Sequence, residues 1–187
     1  MVRSFDGSAV PGDDMVSWCE LALRAPTAGN SSGVRFVVIE SPRVTEYFAV
    51  ATDAEWRNTA RRAPGLLRAG GVVLAVSNPQ FYTERYAEPD KATSGLSDID
   101  AWPVPYWHTD AAMATMQLLL AVDEAGWSSC FWGNFRNESE VLAFAGLDSS
   151  WRLFGSVLIG RSDGRDLASA SLRREVPTRT SRVLRLS

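Results

Sequence analysis

The chain of 187 residues holds one histidine, His108, and two cysteines, Cys19 and Cys130. That inventory removes most side-chain chemistry. A hydrolytic triad would have to join His108 to Asp110, and positions two apart on a helix point in different directions. No CxxC or HxxxH spacing occurs, so a zinc site would rest almost wholly on carboxylates, and no metal is expected. The cysteines stand far apart in apolar surroundings, which predicts buried free thiols. No G-x-G-x-x-G follows a strand pattern, and neither a P-loop nor a G-x-S-x-G elbow is present. The hard chemistry of such a chain belongs to a cofactor.

The elements that would position a cofactor can be read from periodicity. Asp13 and Asp14 precede an apolar stripe from Met15 to Leu23, the pattern of a helix that ends before Pro26. A small, polar turn, Thr27 to Gly33, leads into the β-branched run Phe36 to Ile39, a buried strand. Pro42 opens a helix to Ala51, an Arg-rich amphipathic stretch follows to Arg68, and Val72 to Val76 forms a second strand. From Gln80 to Tyr106 the sequence turns aromatic, charged and rich in Gly and Pro without sustained periodicity, which predicts an excursion loop or lid. Ala111 to Ala125 is apolar nearly all round, so that helix must be covered on most sides, by the core or by a second subunit. A strand at Trp127 to Trp132, a helix at Glu138 to Ala145 and a strand at Phe154 to Ile159 complete the order. The expectation is one α+β domain over residues 1–187.

Composition narrows the partners. Hydrophobic residues make up 45% of the chain, enough for a core, and the net charge is −3 with no basic stripe. Nucleic acid is not an expected partner. The polar N-terminus and the lack of an 18-residue apolar run predict a cytoplasmic protein without a membrane contact, in which the sequons at Asn30 and Asn137 carry no glycan.

Three segments carry a more specific message: Arg3-Ser4-Phe5, the turn Ala25-Pro26-Thr27-Ala28-Gly29-Asn30-Ser31, and Gly126 to Phe135 after the apolar helix. Together, and in this order, they make the chain resemble the FMN-dependent nitroreductase family over roughly Val2 to Arg174. The resemblance implies a mixed β-sheet flanked by helices, an obligate homodimer with FMN at its interface, and two-electron transfer from NAD(P)H to a small-molecule acceptor such as a nitroaromatic or quinone. Carried over by position, Arg3 and Ser4 would meet the flavin phosphate, with Arg173 or Arg174 as a second contact. Pro26, Thr27, Ala28 and Asn30 would line the flavin, Asn30 from the opposite subunit. Phe131 and Trp132 would lie against the ring, the backbone N–H of Gly133 would face flavin N5, and Asp110 would meet the ribityl chain or ring edge. Arginine suits a phosphomonoester because its planar fork gives charge-assisted, bidentate hydrogen bonds. Arg35, at the start of the first strand, could favour the reduced flavin.

Trp102, Tyr106, Trp107 and His108 crowd the end of the excursion and are the candidate substrate pocket. Ser32, Gly33 and Val34 depart from the glutamine, proline and tryptophan of many family members, and Asn134 replaces a small residue. Two alternatives therefore stand beside the reductase: a flavin-dependent oxidase of a small or peptide-derived substrate, and a protein that binds flavin or deazaflavin without turnover.

Overall fold

The computed structural model describes residues 1–178 and 182–185. Its centre is β2 (Gly71–Ser77), buried at all seven positions. Such an uninterrupted apolar strand needs cover on both faces and neighbours on both edges. β1 (Val34–Glu40) pairs with one edge and β4 (Arg152–Gly160) with the other, while β3 (Ser128–Trp132) adds to β4, giving the order β1-β2-β4-β3. The α+β class is as expected. Inside the chain, however, all three pairings are antiparallel where the resemblance implied a mixed sheet.

Alternation along the strands sorts the core into two layers. Val72, Leu74, Val76 and Leu158 face α2 (Arg43–Ala51) and α7 (Glu138–Phe144), whereas Val73, Val157 and Ile159 face α1 (Gly12–Ala22) and α6 (Tyr106–Glu124). α6 starts after Pro105, one and a half turns earlier than its apolar run suggests, so His108 and Asp110 lie in its first turns. One chain buries a single stripe of this helix, including Ala111, Ala114, Leu118 and Val122. Met113, Met116 and Leu120, on another face, keep 42%, 53% and 57% of their surface exposed.

The Arg-rich stretch is two short helices, α3 (Ala54–Thr59) and α4 (Ala63–Leu66). The excursion is shorter than its composition suggests. The Asn78 side chain accepts from the Gln80 N–H and Pro79 occupies the first turn, so α5 (Pro79–Ala87) forms where a loop was expected. The remainder, 88–105, is strapped down by Trp102, whose indole donates to the Leu96 carbonyl at 2.8 Å and packs against Tyr82, Tyr86 and Trp107.

The N-terminal arm is also held. Val2 N–H donates to Ser129 O of β3, Phe5 is fully buried, and Asp6 N–H donates to Arg161 O. No helix among the described residues is long and apolar enough to cross a membrane.

Candidate functional site

The candidate residues fall into two groups within one chain. The first surrounds a cleft of about 640 Å3 lined by Arg3, Trp56, Arg61, Arg62, Cys130, Phe131, Trp132 and Arg173, among others. β3 is the sheet edge, so its side chains form the floor; the start of α4 and the tail after β4 form the walls. The arm and tail are tied together at its mouth. Arg3 N–H donates to Asp166 Oδ2 at 3.2 Å, the Ser4 hydroxyl donates to Asp163 Oδ2 at 2.9 Å, and Arg62 Nη2 donates to Leu167 O at 2.9 Å.

The charge of this cleft is unbalanced. Arg3, Arg61, Arg62 and Arg173 all line it, and among the described residues none of the four forms an ion pair. Arginine forks gathered without carboxylates have donors left over for an anion. The floor is aromatic: Phe131 packs on Phe154 at 5.3 Å, and Trp132 lies 5.6 Å from Trp56. Burial raises the Cys130 thiol, which keeps it protonated beneath that floor. Around the rim formed by Trp56 and Trp132, Gly133 lines a smaller neighbouring cavity. The Gly133 N–H donates to no group among the described residues. A phosphate ester carrying a flat ring fits this arrangement, with its anion at the arginines and its ring along β3.

The second group surrounds the turn before β1 and a pocket lined by Leu23, Ala25, Thr27, Asn30, Ser32 and Asp110. Here several polar groups are already engaged within the chain. Asp110 is 1% exposed, and its Oδ2 accepts from the Ala28 N–H at 2.8 Å and from the Tyr82 hydroxyl at 2.9 Å. Ser32 N–H donates to Thr27 Oγ1, and Arg85 Nε donates to Gly29 O. Burial, reinforced by the neighbouring carboxylate of Asp110, raises the Tyr82 hydroxyl far above its usual range. Gly29, Asn30 and Ser32 all take left-handed φ values of 62°, 57° and 54°. At Asn30 and Ser32, which carry side chains, backbone strain of this kind persists only where surrounding bonds enforce it. Asp110, then, holds the shape of the turn. Pro26 is exposed at its start.

Other candidates lie elsewhere. Arg35 lines neither cavity, and its guanidinium sits 4.5 Å from the Trp151 ring centroid. Arg174 is exposed beyond the 3-10 turn that carries Arg173. Trp102 is buried as the excursion's anchor, Tyr106 is 41% exposed and Trp107 packs on Trp102. His108 stacks 6.4 Å from Phe154, behind the aromatic floor; its Nδ1 is buried with no partner among the described residues, and burial lowers its proton affinity.

The two departures acquire physical reasons. Asn134 turns inward, donating from Nδ2 to the Tyr47 hydroxyl at 3.1 Å and accepting from Ser156 Oγ at 2.6 Å. A side chain on Gly33 would collide with Tyr82, since its Cβ would lie 2.5 Å from the ring. Arg61, Arg62 and Trp56 were not singled out by sequence reasoning. Their one local signal is a basic pair just before a Pro-containing helix start.

Comparison with known proteins agrees with this architecture. The profile described as the nitroreductase family matches residues 1–161. A search of curated proteins returned no match. Among solved structures, the nitroreductase CinD from Lactococcus lactis in complex with nicotinic acid is 13% identical with a TM-score of 0.77, covering 100% of this chain and 95% of that one. A protein from Exiguobacterium sibiricum, described as a nitroreductase in complex with FMN, is 16% identical with a TM-score of 0.67, covering 94% and 88%. A protein from Staphylococcus epidermidis described as an NAD(P)H:FMN oxidoreductase is 17% identical with a TM-score of 0.63, covering 94% and 91%.

Proposed function

The chain belongs to the nitroreductase family, and from that membership we propose that this flavin oxidoreductase is an FMN-dependent homodimer that passes two electrons from NAD(P)H to a small electrophile such as a quinone or nitroaromatic. The observation that carries the cofactor assignment is the cleft above Phe131 and Trp132 whose four arginines form no ion pair among the described residues. Bound FMN supplies the hydride exchange. The chain's own residues bind and orient it: Arg3, Arg61, Arg62 and Arg173 offer charged donors for the phosphate, and Phe131 and Trp132 offer an apolar wall for the ring. The unengaged N–H of Gly133, just past that wall, is free to donate to a ring nitrogen.

The dimer reading rests on the apolar face of α6. Met113, Met116 and Leu120 are exposed there, and Leu23, 46% exposed, borders the pocket of the Thr27–Asn30 turn. Covering this face with a second copy would bring the rigid turn against the partner's cleft, so that each flavin is enclosed by two chains. That accounts for the turn and Arg3 lining separate cavities within one chain. Nicotinic acid, the ligand named for the Lactococcus relative, is a single aromatic ring, in keeping with a small planar substrate. We assign the protein to the cytoplasm on the same reading.

The test is the colour of the protein. Purified or FMN-reconstituted protein is expected to be yellow, to sediment as a dimer and to bleach under anaerobic NADPH or NADH, with colour restored by a quinone. A monomeric protein that stays colourless after incubation with FMN overturns the proposal.

A further inference from the structure

The loop after β3 is anchored at nearly every side chain. Asn134 is bound into the Tyr47 and Ser156 hydroxyls, Arg136 pairs with Asp53 at 2.6 Å, and Asn137 Nδ2 donates to Val50 O at 2.9 Å. Phe135 stands between these anchors with 95% of its surface exposed. Its ring folds back over Gly133, where an added Cβ would lie 2.7 Å from the phenyl Cζ. Together with Trp56 and Trp132 it bounds a cavity of about 210 Å3, whose mouth carries the Asp53–Arg136 pair.

A lone exposed aromatic needs no explanation by itself. This one is flanked by anchored neighbours, lies beside two further aromatic rings and covers the backbone of Gly133. Fixed aromatic platforms bind flat ligands well because little freedom is lost when they are covered. The cavity is smaller than the roughly 300–1,000 Å3 of sites for drug-sized ligands. One ring system fills it.

We propose that the slot between Trp56, Trp132 and Phe135 is the subsite for the aromatic ring of the electron acceptor, and that Phe135 is a specificity-determining residue. The proposal deepens the flavin reading and rests on it for the word acceptor; the slot itself is a property of the apo-chain. Polar substituents on the ring face the Asp53–Arg136 pair.

The experiment compares wild type, Phe135→Ala and Phe135→Tyr as FMN-loaded enzymes. Acceptors are 1,4-naphthoquinone and nitrobenzene, with ferricyanide as an acceptor that has no ring to seat. Phe135→Ala is expected to lower kcat/KM for both ring acceptors, relative to ferricyanide, by about tenfold through KM, and Phe135→Tyr to restore the ratio. An unchanged ratio, loss of flavin from Phe135→Ala, or conversion of dimer to monomer overturns the assignment, the last by showing that a second copy covers the phenyl group. If wild type takes up no flavin, the cofactor reading fails separately. Equilibrium dialysis of 1,4-naphthoquinone against the apo-chain then decides the slot: saturable binding lost in Phe135→Ala upholds it, and no saturable binding to wild type overturns it.

Discussion

The arginine cleft and the Thr27–Asn30 turn differ in what their polar groups are doing. Around the cleft, four guanidinium groups gather, and none of them forms an ion pair among the described residues. Around the turn, a buried carboxylate is consumed by an N–H and a hydroxyl of its own chain. The first region has donors to spare, whereas the buried carboxylate of the second is satisfied within the chain. Replacing residues should therefore weaken binding in one and folding in the other.

The largest expected effect tests that division directly. Arg61→Gln with Arg173→Gln removes two charged donors, each worth about 1.5–3 kcal/mol in a charge-assisted bond, so FMN affinity measured by fluorescence titration should fall at least a hundredfold. The apo-chain's melting temperature should stay within a degree or two. A large loss of stability would mean the arginines serve the fold, and the contrast would collapse. Next, Asp110→Ala leaves the Ala28 N–H and the Tyr82 hydroxyl without an acceptor, which should cost about 2–4 kcal/mol in urea unfolding. Stability unchanged by Asp110→Ala would show the turn to be held by other means.

The smallest effect lies between the two regions, at His108. Its folded-state proton affinity is depressed by burial, so below pH 6.5, its ordinary value, the unfolded chain takes up the proton more readily than the folded one. Stability is therefore complete above that pH and declines as the pH falls beneath it. Because much of the ring remains solvated, the loss should stay below about 1 kcal/mol. A denaturation series from pH 7.5 to 5 on wild type and His108→Gln would isolate it; identical slopes would exclude His108 as its source.

The sequence revealed those parts of the molecule whose cause is local. The apolar run Val72 to Val76 could only be a buried strand, and the Thr27–Asn30 turn was recognisable because small residues and left-handed positions are written in its own residue types. What escaped depends on distant partners. Asp110 acts on a backbone amide 82 residues away. Arg61 and Arg62 looked like one polar face of an amphipathic stretch until β3 and the tail were placed opposite them. Gln80 to Ala87 has little apolar periodicity, so a helix started by Asn78 and Pro79 was read as loop.

The arm and the tail meet across nearly the whole chain, Phe5 bridging to Ser162, Asp163 N–H donating to Ser4 O, and Arg3 N–H to Asp166. A ribosome must therefore extend the chain past Arg173 before the guanidinium rim that begins at Arg3 is complete. β4 (Arg152–Gly160), which completes both layers of the core, precedes those contacts only slightly in the chain, so the hydrophobic interior and the rim close together and late in synthesis.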